Sequence, residues 1–108
     1  MSELEVGRVF AALADPTRRA VVAELGRRPT VTATQLAAEH PMSRQALAKH
    51  LVVLEEAGLV EHAREGRETR YALRPAPLAA AADWLVAAGA AWDDRLARLG
   101  DVAARRAR

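Results

Sequence analysis

The chain has 108 residues, 51% apolar and 28% charged, with no cysteine and a formal net charge of +2. That length supplies one small core, so residues 1–108 are expected to form a single domain, and the lack of cysteine excludes disulfides, thiolate metal sites and cysteine nucleophiles. No apolar run is long enough to cross a membrane and the start, MSELEVGRVF, is acidic where a signal peptide is basic, so the chain is read as cytoplasmic, without a membrane partner.

Residues 3 to 13 place Leu4, Val6, Val9, Phe10 and Leu13 on one stripe, which predicts a first amphipathic helix. Asp15-Pro16 then offers an N-cap acid and a proline at the first helical position. The second helix is expected from Pro16 to about Leu25, with Val21, Val22 and Leu25 inward and Gly26 just past its end. Arg18 and Arg19 are assigned to helix ends and nearby carboxylates, with a contact to DNA backbone left open for one of them.

A short extended piece is expected at Thr30 and Val31. Thr32 and Gln35 fit a reciprocal capping pair that opens a short third helix, ATQLAAE, and His40-Pro41 ends it, because proline pushes the preceding residue out of the helical region. Ser43 caps the next helix, which stops at Gly58. A short helix, a tight turn and a longer helix over about 33–57 make a helix-turn-helix signal. The longer helix has two faces. Leu47, Leu51 and Leu54 face a core, while Ser43, Arg44, Gln45, Ala48 and Lys49 gather on the other side.

After Gly58 the periodicity changes. LVEHAR and RETRYAL read as two strands around Glu65-Gly66, a hairpin or wing over about 59–73, with Val60, Tyr71 and Leu73 inward and Arg64, Arg67 and Arg70 near its tip or outer face. Pro75 and Pro77 separate it from a long helix over about 77–104. There Leu78, Ala81, Leu85, Ala88, Trp92, Leu96 and Leu99 recur every three or four residues, a stripe too long for so small a domain to cover. The tail VAARRAR is expected to fray. The fold class is therefore mainly α with a small β-hairpin: a winged helix-turn-helix whose last helix is expected to be covered by another subunit.

The polar face of the fourth helix suits a major groove, where Arg44 reads guanine, Gln45 reads adenine, and Ser43 and Lys49 hold phosphate. With Ala48, with His50, which either touches DNA or packs with a hydrogen bond, and with Arg64, Arg67 and Arg70 of the wing, it is the candidate DNA-binding set. The pI of 9.9 adds little, since one lysine and fifteen arginines with few neutral-range titrating groups raise it from a small positive excess. The chain carries no phosphate loop, nucleophile elbow or His/carboxylate cluster, so no enzyme and no cofactor are expected.

ALADPTRRAVVAEL, then TATQLAAEHPMSRQALAKHLVVLEEAGLV, then REGRETRYAL resemble the ArsR/SmtB-type winged-helix repressors of bacteria over roughly residues 8 to 100. The resemblance implies a homodimer, dimerising through its first and last helices, that binds an inverted-repeat operator and blocks transcription. Leu4, Phe10, Leu78, Leu85, Trp92, Leu96 and Leu99 would carry its interface. Members that sense metals keep cysteines near the third helix or histidine and carboxylates on the last. Here the last helix offers only Asp83, Asp93 and Asp94, and the histidines are scattered, so no metal site is expected. Val52 stands where similar proteins often carry a base, which implies one phosphate contact fewer. Two alternatives remain open: a winged helix that binds protein, and a regulator gated by a small-molecule effector entering at the dimer interface.

Overall fold

The computed structural model describes residues 2–106. Its elements run α1 (Glu3–Leu13), α2 (Pro16–Arg27), β1 (Val31–Thr32), α3 (Ala33–Glu39), α4 (Arg44–Glu56), β2 (Val60–Glu65), β3 (Glu68–Leu73) and α5 (Pro75–Arg106). Local chemistry explains most of the boundaries. Asp15 accepts from the Arg18 amide at the start of α2, and Ser43 accepts from the Ala46 amide at the start of α4. Thr32 and Gln35 form the reciprocal cap of α3, with Gln35 N to Thr32 Oγ1 at 3.1 Å and Thr32 N to Gln35 Oε1 at 2.9 Å. Gly58 takes φ +77° just after the Ala57 cap, so α4 turns sharply into the wing.

Six details differ from the sequence reading. Gly26 lies inside α2, which runs on to Arg27. What stops this helix is Pro29, which holds Arg28 extended at φ −129° and ψ 144°. The extended piece is Val31–Thr32, one residue later than expected. It pairs with β3 (Val31 with Tyr71, Thr32 with Arg70), so the hairpin is part of a three-stranded antiparallel sheet in the order β1-β3-β2. The wing turns on Gly66-Arg67, because β2 and β3 register from Val60 with Leu73 to Glu65 with Glu68, and the φ of +62° at Gly66 is easy only for glycine at the first turn position.

The last helix begins at Pro75, two residues early. Both prolines sit in its first turn, where no intrahelical donor is needed. It also continues to Arg106, so residues 102–106 of the expected frayed tail are helical, while 107–108 lie outside the described residues. Lastly, the inward stripe of α1 is Val6, Val9 and Ala12, whereas Leu4 is 68% exposed in the first turn, beyond the reach of the core.

Val9, Val21, Val31, Leu36, Leu54 and Leu59 are fully buried, drawn from α1, α2, β1, α3, α4 and the approach to β2. Tyr71, Leu73 and Leu78 pack at the edge of this core. Only the start of α5 joins it, through Ala81, and the Phe10 and Trp84 rings meet edge-on at 5.5 Å between centroids. A helix of 32 residues is about 48 Å long. Most of α5 therefore projects, which accounts for overall extents of 73 × 28 × 23 Å. Among the described residues no helix is long and apolar enough to cross a membrane.

Candidate nucleic-acid interface

The α3–α4 turn, His40 to Ser43, sets the start of α4 free of the core, while Leu47, Leu51 and Leu54 anchor the rest of the helix. That division leaves Arg44, Gln45, Ala48 and Lys49 exposed on one side of the first two turns. The Ser43 oxygen accepts from the Ala46 amide at 3.1 Å, so the hydroxyl caps the helix and keeps its own proton to donate outward. Arg44 and Ala48, one turn apart, border a cleft of about 130 Å³ between α3 and α4, floored by Leu47 and Leu51 and closed by Tyr71. Unpaired amides and the positive end of the helix dipole lie at the same terminus, which favours phosphate.

The wing is more balanced in charge than its arginines alone suggest. Arg70 Nε and NH2 lie 3.0 Å from Glu65 and Glu68, the Nε contact being an ion pair without hydrogen-bond alignment, and Arg70 NH1 donates to Thr30 Oγ1 at 3.2 Å. Arg74 is 3.9 Å from Glu61. Arg64 Nε donates to the Gly66 carbonyl at 3.4 Å, which stiffens the tip. Arg67 stands at the turn itself. Among the described residues Arg44, Lys49 and Arg67 take part in no ion pair.

Each histidine faces a carboxylate. His50 Nδ1 lies 3.3 Å from Arg18 NH1 and 3.9 Å from Asp15 Oδ2, so the ring is turned to the body of the protein, the packed alternative of the two foreseen. His62 pairs with Glu55 and tilts against Tyr71, which ties the wing to the end of α4. His40 Nε2 meets buried Glu24 at 3.4 Å. Among the described residues no group of three potential ligands is assembled for a metal. Arg18 donates to Ala12 O and Ala11 O, and Arg19 to Leu13 O and Ala14 O, so both close the end of α1, as expected.

Sequence reasoning missed Glu24 and the glutamates of the wing. A Glu at the inward spacing of Val21 and Leu25 was the available signal for the first. The pairing of Glu65 and Glu68 with Arg70 follows from the strand register, which sets Glu65 opposite Glu68, with Arg70 two residues further along the same strand.

Residues 13–63 match the family model described as a helix-turn-helix domain. The solved ArsR-like transcriptional regulator from Rhodococcus sp. RHA1 superposes with a TM-score of 0.84 at 47% identity, covering 93% of this chain and 91% of that one. The HTH-type transcriptional regulator CmtR of Mycobacterium bovis is 42% identical over 87 residues, which are 80% of this chain and 72% of the relative. The structure of the cadmium metal-sensor CmtR from Mycobacterium tuberculosis aligns with a TM-score of 0.53 at 40% identity over 62% of this chain and 68% of that one.

Proposed function

The chain belongs to the ArsR-type winged helix-turn-helix transcriptional regulators, and from that premise we propose that it is a cytoplasmic, dimeric repressor that reads an inverted-repeat operator without a metal. The observation that carries the reading is the exposed start of α4. Arg44, Gln45 and Lys49 are held out by a capped helix whose other face is locked in the core, and none of them is spent on an internal ion pair. In this reading Arg44 and Gln45 meet base edges and Ala48 offers apolar contact to a thymine methyl. Ser43, Lys49 and Arg67 hold phosphate, Arg64 shapes the tip, and Arg70 fixes the wing through its glutamates.

Dimerisation rests on α1 and α5. Leu85, Trp92, Leu96 and Leu99 are 55%, 57%, 48% and 64% exposed, and Leu4 stands open on α1. A projecting apolar helix of this kind requires a cover, and a second copy supplies an identical stripe together with the two-fold symmetry of an inverted repeat. Metal independence rests on the donor set. CmtR of Mycobacterium tuberculosis is described as a cadmium metal-sensor, whereas this chain has no cysteine and its histidines are spent separately, His40 and His62 on carboxylates and His50 on Arg18.

A second reading has two observations in its favour. Val52 and Val53 of α4 are 50% and 37% exposed, and the wing sets three arginines against three glutamates, features that suit a protein partner. Selection of bound duplexes from a random pool tests both. A recurring two-fold symmetric sequence supports the repressor reading, and a pool that never converges, with loss of binding at modest salt, supports the protein-binding one.

A further inference from the structure

One guanidinium joins three helices. Arg18, in the first turn of α2, donates through Nε to Ala12 O at 2.6 Å and through NH2 to Ala11 O at 3.2 Å, satisfying carbonyls that the end of α1 leaves without helical partners. Its third arm, NH1, reaches His50 Nδ1 at 3.3 Å on α4. Because a guanidinium only donates, Nδ1 accepts and the ring proton sits on Nε2. The flat fork of arginine serves these directions at once, which an ammonium on a flexible stem does not. Asp15, itself the cap of α2, lies 3.9 Å from the same Nδ1.

His50 follows Lys49 directly, on the opposite flank of α4 from Arg44 and Gln45. The α1 end of the link belongs to the helix whose Phe10 packs on Trp84 of α5. We propose that Arg18 is a positioning residue for DNA reading: through His50 it fixes the roll of α4 relative to α1, so that the reading face is registered to the helix pair on which the subunits meet. The inference rests on the DNA-reading proposal above. It assigns Arg18 no contact with DNA, which separates it from a phosphate-binding arginine, and it asks for more than a cap on α1, since the cap alone needs no arm toward His50.

The test compares the full-length wild type with Arg18→Lys, His50→Leu, His50→Gln and the Arg18→Lys/His50→Leu double variant. Affinity is measured for the selected operator and for a random duplex over a range of salt, with thermal unfolding and dimer mass as controls. His50→Leu leaves the α1 carbonyl contacts intact, so it carries the test even where Arg18→Lys folds poorly. It is expected to lower operator affinity about tenfold while leaving random-duplex affinity and the salt slope unchanged. His50→Gln, whose amide oxygen accepts in place of Nδ1, should stay within about threefold of wild type. Arg18→Lys should lose about tenfold alone and little more on the His50→Leu background. Equal losses on both duplexes with a salt slope lower by about one unit would make Arg18 a phosphate contact and overturn the inference alone. Additive losses, or a harmless His50→Leu, would overturn it too. A wild type that prefers no duplex would overturn the DNA reading and this inference with it.

Discussion

Glu24 Oε2 lies 3.4 Å from His40 Nε2, with side chains only 4% and 11% exposed, directly behind the turn that launches α4. Burial raises the Glu24 carboxyl above its ordinary value of 4.5, and neighbouring Glu39 raises it further. Glu39 is lowered, by its hydrogen bond with Glu24 and then by Arg28 at 3.3 Å. Of the two carboxyls the buried one is thus the weaker acid.

A raised carboxyl contributes stability that is fully present below its unfolded value and is lost as pH rises through the folded one. The contribution of Glu24 to stability should therefore fall on going upward from about pH 4.5 toward neutrality, against the opposite trend of Glu39, and comparison with a Glu24 variant isolates it. Glu24→Gln, which keeps the shape and an acceptor for His40, should flatten that slope and melt a few degrees higher at neutral pH, since about 1 kcal/mol moves a domain of this size by roughly 4 °C. Melting curves across the pH range decide it. A Glu24→Gln protein less stable at neutral pH would mean that the carboxylate, charged, is what holds His40.

Light scattering should give twice the chain mass for the wild type at micromolar concentration. Leu99→Glu, which sets a charge at the far end of the stripe of α5, should shift the protein to monomer without unfolding residues 3–73, because that part of α5 touches none of the core. Circular dichroism on the same sample checks the second half of the statement. A folded wild-type monomer sinks the interface, and with it the inverted repeat.

Added zinc or a chelator should leave operator affinity within twofold. The motive is chemical: no thiolate is available, and His40 and His62 pair with carboxylates while His50 accepts from Arg18, all on different elements. A tenfold change with stoichiometric zinc would show that Asp83, Asp93 and Asp94 of α5 are completed by donors from a second copy.

The helix-turn-helix was legible in the sequence because its signals are local. Thr32 with Gln35, His40 before Pro41, and Ser43 before an apolar repeat each act within four residues, and the structure sets all three as caps or stops. What escaped depends on contacts across the chain. Gly26 suits the end of a helix, but the residue that stops α2 is Arg28, forced extended by Pro29, while Gly26 lies under the Leu73 side chain at 3.8 Å from where a Cβ would stand. Val31 joined the sheet only because Tyr71, forty residues on, offered an edge. The polar face of α4 was readable as a face, yet which wing arginine is free was not. Arg64, Arg67 and Arg70 look alike in sequence, and only the strand register brings Glu65 and Glu68 against the third.

That difference sets the last prediction. Arg44 and Gln45 stand at the open end of α4, where side chains reach base edges, so Arg44→Ala or Gln45→Ala should cost about 1 to 3 kcal/mol on the selected operator and relax preference at one base pair. Arg67, alone at the Gly66-Arg67 turn, should behave otherwise. Arg67→Ala should weaken every duplex alike and lower the salt slope by about one unit per subunit, because one phosphate charge goes unneutralised. Arg70→Ala separates a third behaviour: its guanidinium already faces two carboxylates, so its loss should loosen the wing and lower thermal stability before it changes the salt slope. Geometry adds a check. Two copies on an inverted repeat present their α4 helices about 34 Å apart, one turn of DNA, and inserting about five base pairs between half-sites turns one of them to the far side, so tight binding should be lost. Should Arg44→Ala and Arg67→Ala weaken specific and random duplexes in the same way, or the insertion prove harmless, then the exposed face of α4 is no reading head, and its exposed Val52 and Val53 become the better guide to what it meets.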